Sequence, residues 1–301
     1  MGLEASDDDG NTIFSRRTCR GERVTATLPV AALPSPLAVA GLGALGVGVG
    51  AIGTLIGAGG GFLLLPLLVM PFPGEPPSIL TGISLTVVFA NALSGSVAYA
   101  RMRRIDFRSG LVFAAAGLPG SILGAWATHG LDRRRFDPLL GAVLILAAAM
   151  ILVRPRGPQA TDAAPPTRTL VEADGTVHRY RPRMALGAAL SVGIGFLSSL
   201  LGIGGGILHV PAMAYLLGFP VHVATATSHF VLALLALAGV LVHLRSGTLV
   251  PGLARTLPIA GGVLVGAQVG ARLSTRIHGR WILRALAVAL ASVGVRLLVA
   301  H

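Results

Sequence analysis

Eight stretches of this chain, at about 37–56, 78–100, 110–128, 137–153, 184–201, 223–243, 252–271 and 281–299, are long, apolar and free of acidic residues in their interiors. A helix crossing about 30 Å of hydrocarbon needs roughly 20 such residues, so each stretch reads as a membrane span. The composition agrees, with 53% hydrophobic and only 12% charged residues against about 25% charged in soluble domains. Two globular surfaces could not be coated with so few polar groups, and a bilayer replaces water as the outer solvent. Two further apolar runs, 62–72 and 207–219, are too short for an upright span. Each follows a glycine cluster, which predicts half-helices or re-entrant segments packed inside the protein. The expected fold is an all-α polytopic membrane protein.

The formal charge of +12 does not make this a nucleic-acid binder. Every basic residue is Arg, and the arginines sit between the apolar runs, as at Arg101, Arg103, Arg104 and Arg108 or at Arg133, Arg134 and Arg135. Retention of positive loops on the cytoplasmic face explains that placement. The single cysteine, Cys19, rules out an internal disulfide and a cysteine metal cluster. Residues 1–36 are polar, hold Asp7, Asp8 and Asp9 ahead of Arg16, Arg17, Arg20 and Arg23, and lack the short apolar core of a signal peptide. They read as a disordered cytoplasmic tail.

Residues 154–183 break the apolar pattern with proline and charge and read as a hydrophilic linker between 37–153 and 184–301. The two flanking units match in order. Leu55-Ile-Gly57-Ala-Gly59-Gly60-Gly61 with Pro66 corresponds to Leu200-Leu-Gly202-Ile-Gly204-Gly205-Gly206 with Pro211 at an offset of 145. Thr81, Ser84 and Gly95 correspond to Thr225, Ser228 and Gly239 at 144, and Gly120, Gly124 and Ala125 to Gly262, Gly266 and Ala267 at 142. The expectation is two tandem repeats of about four spanning helices each, each with a glycine-rich break and a short half-helix. If the short runs are re-entrant, the repeats are parallel and both termini share the linker's side with 17 of the 24 arginines. If the short runs cross, the repeats are inverted and the arginines divide 10 to 14. Counting favours the parallel arrangement, with N-terminus and linker cytoplasmic.

The glycine clusters are the strongest local signal. Three adjacent glycines weaken a helix by about 1 kcal/mol each relative to Ala, so a break repeated at equivalent places calls for a reason. A half-helix starting within the membrane presents free N–H groups and the positive end of its dipole, which favours an anion. The predicted substrate-binding set is Gly57, Gly59, Gly60 and Gly61 with Thr81 and Ser84, and Gly202, Gly204, Gly205 and Gly206 with Thr227 and Ser228. Hydroxyls give donors to an anion without adding charge. The pairs Gly120-xxx-Gly124 and Gly262-xxx-Gly266-xxx-Gly270 read instead as close helix packing.

Asn91, His209 and His229 are candidates for the pathway or a proton relay, with packing the competing role. No acidic residue follows Asp174, so a cation site of buried carboxylates is not expected. Gly41-Leu-Gly-Ala-Leu-Gly46 fits a dinucleotide fingerprint but lies inside an apolar run with no strand before it. No Walker loop, nucleophile elbow, zinc motif or carboxylate pair occurs in the sequence. The chain is therefore expected to be no enzyme and to need no metal or cofactor; its partners are the bilayer and a small anionic solute, with no nucleic acid.

The strings GAGGGFLLLPLL and GIGGGILHVPAM, followed by TGISL and TATSH, resemble the TauE/SafE family of sulfite and organosulfonate exporters over about residues 37–300. Thr227-Ser228 keeps that family's Thr-Ser pair, while Ile83-Ser84 departs from it. The resemblance implies an inner-membrane permease for sulfite, sulfoacetate or related sulfonates, working in export by alternating access. A carrier of an unrelated solute, such as a metal ion or sugar, and a non-transporting assembly factor are the alternatives.

Overall fold

The computed structural model describes residues 13–17, 23–27, 35–70, 74–153, 168–274 and 280–299. In the first half, α1 (Pro36–Ile56) starts at Ser35, whose hydroxyl accepts from the Ala38 N–H at 3.3 Å, and stops at Gly57 in the left-handed region. The short helix α2 (Gly61–Val69) follows the break. Pro76 and Pro77 then open α3 (Pro77–Arg101), where a missing N–H costs nothing. Helix α4 (Phe107–Ala127) is capped by the Asp106 carboxylate, and α5 (Arg133–Val153) completes the half. The second half repeats the order. α6 (Met184–Leu201) ends at left-handed Gly202, α7 (Gly206–Pro211) runs on through a wider-turned Ala212–Leu216, and α8 (Val221–Arg245) starts after Pro220. α9 (Leu253–Leu273) and α10 (Arg280–Val299) follow.

Among the described residues seven helices are long and apolar enough to cross a membrane: α1, α3, α4, α5, α6, α8 and α9. In α10 the apolar stretch identified is Leu290–Val299. The small-residue faces pack as expected. Gly262, Gly266 and Gly270 of α9 lie on the carbonyls of Gly43, Val47 and Ala51 in α1, and Gly120 and Gly124 of α4 lie on those of Val192 and Phe196 in α6. A methyl group at any of these glycines would meet backbone, which cannot yield. α3 and α8 form the centre, and α5 packs on α10 where Gly141 meets Gly294.

Two ends of the bundle are defined by polar contacts. At one end Arg168 and Tyr180 reach Asp106, Arg183 donates to the Leu217 carbonyl, and Ala173 donates to that of Met102. At the other, Arg133 donates to the Val69 carbonyl, Arg255 pairs with Glu75 and Arg296 reaches Met70. α1 packs parallel to α9, with Gly43 beside Pro258 and Ala51 beside Gly270, and α9 starts at this other end, where Arg255 meets Glu75, so Ser35 lies there too. The N-terminal start of the helices and the linker are therefore at opposite ends, and the two halves run in opposite senses. This overturns the parallel arrangement that arginine counting favours.

The reason lies in the breaks. Gly57 sits beside Thr225, one turn into α8 at the linker end, Gly61 beside Val88 in mid-α3, and Val69 at the far end. The turn through Gly57, Gly59 and Gly60 is built on left-handed glycines and reverses the chain, so α2 starts in mid-bundle and runs back to the far end. Four glycine-rich residues with a nine-residue helix thus recross the bundle, although the apolar run alone is too short.

Two hairpins lie in the segments read as a disordered tail and a hydrophilic linker. In the N-terminal tail β1 (Ile13–Arg17) pairs with β2 (Arg23–Thr27), while residues 1–12, 18–22 and 28–34, with Cys19, lie outside the described residues. In the linker, whose residues 154–167 are also outside them, β3 (Arg168–Val171) pairs with β4 (Val177–Tyr180) around Asp174-Gly175. Gly175 has φ 88°, a conformation that favours glycine in a tight turn.

Candidate functional site

Both helix breaks turn on left-handed glycines, at φ 85°, 77° and 79° for Gly57, Gly59 and Gly60 and at 66° and 70° for Gly202 and Gly204. They enter from opposite ends and cross at the centre. Gly57 lies against Thr225 of the second half, and Gly202 against Thr81 of the first. A Cβ at Gly61 would stand 2.8 Å from the carbonyl oxygens of both Gly202 and Ile203, and one at Gly206 would stand 2.7 Å from Ala58 Cα. Gly59 faces Leu232 and Gly204 faces Val88, equivalent positions on the two central helices. Only backbones without side chains can cross this closely. Leu63 and Leu64 donate to the Gly60 carbonyl and Leu208 and His209 to that of Gly205, which leaves the N–H groups of Gly61, Phe62 and Ile207 without an intrahelical acceptor, and both positive helix ends point at the crossing.

The hydroxyls divide. Thr81 and Ser228 are fully buried and their oxygens have no hydrogen-bond partner. Ser84 is engaged, donating to the Gly202 carbonyl at 2.6 Å. Thr227 stands apart from the crossing, because its Oγ1 accepts from the Asp106 N–H at 3.0 Å in the α3–α4 loop. The threonine that α8 places at Gly57 is Thr225, one helical turn before Ser228. The structure thus brings both glycine clusters together with Thr81 and Ser84, holds Ser228 buried one turn beyond Thr225 on α8, and directs Thr227 to the loop.

Asn91 and His229 belong to one buried cluster beside the first break, with two residues that the sequence did not single out, Thr54 and Tyr99. Thr54 Oγ1 donates to Asn91 Oδ1 at 3.0 Å and lies 3.3 Å from His229 Nε2. The Tyr99 hydroxyl donates to the Thr54 carbonyl at 2.8 Å, and its ring meets the His229 imidazole edge to face. Asn91 Nδ2 has no hydrogen-bond partner, and the His229 imidazole also interacts with the Gly57 backbone. His209 is elsewhere, on α7, with Nε2 3.0 Å from Ser191 Oγ of α6. Thr54 and Ser199 each stand three residues before the first glycine of a break, and this matched spacing was the available signal. At the second break Ser199 meets Ser121 at 2.7 Å, and Ser121 donates to the Leu235 carbonyl.

The linker end is closed by a charged network. Asp106 accepts from Arg168 at 3.2 Å, the Tyr180 hydroxyl at 2.9 Å and the Ser109 hydroxyl at 2.6 Å. Glu172 accepts from Arg104 at 2.5 Å and lies 2.8 Å from His178 Nε2. Burial first, and then the Asp106 carboxylate beside it, hold the Tyr180 phenol well above its ordinary pKa. At the opposite end His129 stacks on His243 at 5.3 Å, with Ser246 and Thr248 as their partners. No cluster of three potential metal ligands occurs among the described residues.

The profile of the sulfite exporter TauE/SafE family matches residues 42–297. The probable membrane transporter protein YunE of Bacillus subtilis is 31% identical over 252 residues, 81% of this chain and 92% of the relative. A probable membrane transporter protein of Xylella fastidiosa is 30% identical over 74% of this chain and 79% of its own length. The probable membrane transporter protein MJ0441 of Methanocaldococcus jannaschii is 27% identical over 65% of this chain and 68% of its own. No solved structure matches. With its multiple apolar helices, paired glycine breaks and a family match over most of its length, the chain belongs to the TauE/SafE family of membrane transporters.

Proposed function

We propose that this protein moves small sulfur-containing anions, such as sulfite, sulfoacetate or another organosulfonate, out of the cell by alternating access at the crossed glycine breaks. The observation that carries the reading is the meeting, inside the bundle, of two positive half-helix ends lined by uncharged donors. Thr81 holds a free hydroxyl there and Ser228 another one turn beyond Thr225, and no carboxylate stands among the residues of the crossing. Such a site repels nothing negative and offers a cation no counter-charge. The word sulfite and the direction of transport come from the family's description; the donor geometry supports an anion of any small oxyacid.

The two halves read as diverged copies of one unit placed in opposite senses, and their contacts across the crossing occur in matched pairs. Alternating access follows naturally from such a pair, because exchanging the conformations of the halves exchanges the open end. Of the described arginines flanking the helices, Arg101, Arg103, Arg104, Arg108, Arg168, Arg179, Arg181, Arg183, Arg272 and Arg280 lie at the linker end. Arg133, Arg134, Arg135, Arg245, Arg255 and Arg296 lie at the other. With the tail arginines counted on the Ser35 side, the 24 divide 14 to 10 in favour of the linker side, which supports a cytoplasmic linker in a plasma-membrane protein with Ser35 outside.

Flux of radiolabelled sulfite and sulfoacetate into proteoliposomes tests the site. Gly205→Leu, which would fill the space against Ser198 and Ile194, and Ser228→Ala are both expected to reduce flux strongly. Unchanged flux in both would remove the crossing as the substrate site.

A further inference from the structure

The two breaks share their backbone geometry but differ in what stands beside them. At the first, Asn91 is wholly buried and its amide is held in one orientation. Its Oδ1 accepts from Thr54, so Nδ2 is turned the other way, into the glycine turn. A Cβ at Gly53 would stand 3.0 Å from that nitrogen and one at Gly60 3.6 Å. Gly60 is the residue from which the nine-residue helix α2 springs. Two kinds of donor thus converge, a side-chain NH2 without a partner and the N–H groups of Gly61 and Phe62 at the start of α2. A buried donor left unpaired is destabilising, and a ligand with acceptor oxygens removes that cost.

We infer that the anion is bound at the first break only, with the Asn91 Nδ2 amide and the N-terminus of α2 as its donors. The inference rests on the anion reading and makes its site one-sided. The second break lacks the same equipment, since Leu235 and Leu85 occupy the positions equivalent to Asn91 and His229 at the offset of 144. Asn91 is the substrate-binding residue. Thr54 is a positioning residue, fixed in turn by Tyr99 on its carbonyl and by His229 against its hydroxyl. The chemical class that fits is a small oxyanion whose oxygens only accept, since the Asn91 amide nitrogen and the start of α2 both offer donors.

Binding of sulfoacetate and of sulfite to the purified full-length protein, measured by calorimetric titration, decides the matter. Loss of one hydrogen bond to a charged ligand should weaken Asn91→Leu by about tenfold to a hundredfold. Asn91→Asp keeps the shape and the oxygen that faces Thr54 but sets a carboxylate beside the anion, and it should abolish binding. Thr54→Val should weaken binding less, with affinity restored in Thr54→Ser, which returns the hydroxyl. Should Asn91→Leu fail to fold, the near-isosteric Asn91→Asp still decides. Wild-type protein that binds neither anion overturns the anion reading and this site with it. Wild-type binding with unchanged affinity in folded Asn91→Asp overturns the one-sided site alone, and the crossing remains the substrate site.

Discussion

The two breaks are built alike and equipped differently. Gly57 faces Thr225 as Gly202 faces Thr81, and Gly61 lies under the second break as Gly206 lies over the first. Yet Ser84 is bonded to the Gly202 carbonyl while its equivalent Ser228 has no partner. Thr54 sits among Asn91, His229 and Tyr99, while Ser199 sits with Ser121 between leucines. Backbone crossing constrains both copies in the same way, because any side chain there collides. The flanking positions tolerate several residue types, so chemistry can concentrate on one side without disturbing the fold.

The largest effect should come from testing the shared part. Gly57→Ala and Gly202→Ala each impose a left-handed conformation that costs about 1–2 kcal/mol, with crowding against a threonine backbone adding about 1–3 kcal/mol. Thermal unfolding in detergent should show comparable losses for the two, and a large loss for only one would break the equivalence of the halves. Next in size is Asp106→Ala, which removes charge-assisted hydrogen bonds of about 1.5–3 kcal/mol each from the linker hairpin. Faster protease cleavage within 168–180, with no matching change at the opposite end, is the expected result.

A smaller effect concerns pH. The Tyr180 phenol has a raised pKa in the folded protein, so the native state holds its proton more tightly than the unfolded chain does. That contribution is complete below the unfolded value of about 10 and is lost as pH rises above it toward the folded value. Alkaline titration should release the hairpin over that range, and Tyr180→Phe should remove this component of the pH dependence. The smallest stability changes should distinguish the paired serines. Ser84→Ala should cost about 1 kcal/mol through its lost bond to Gly202, and Ser228→Ala close to nothing. A loss of flux in Ser228→Ala without loss of stability would assign its hydroxyl to the substrate; equal destabilisation of the two would show that Ser228 has a structural partner.

Much of this was legible in the sequence. Apolar length fixes spanning helices because a bilayer leaves the backbone no other solution, and Gly57–Gly61 and Gly202–Gly206 announced the breaks because three glycines in a row do not continue a helix. The linker hairpin was legible too, in the alternation around Asp174-Gly175, but its polarity masked it. Thr227 was misplaced because its sequence neighbour Ser228 points elsewhere on α8; helical neighbours differ by about 100° in direction, and only Thr225, three residues earlier, shares that face.

What the amino-acid order determined alone is the helical membrane class, the positions of the breaks and the small-residue faces, since each follows from local chain physics. What the tertiary structure decided is the opposite sense of the two halves and the company each break keeps. Sense depends on where a left-handed glycine turn returns the chain, which hydropathy cannot measure. Company depends on contacts such as Thr54 with Asn91 and His229, 37 and 175 residues apart, which only the packing of α1, α3 and α8 creates.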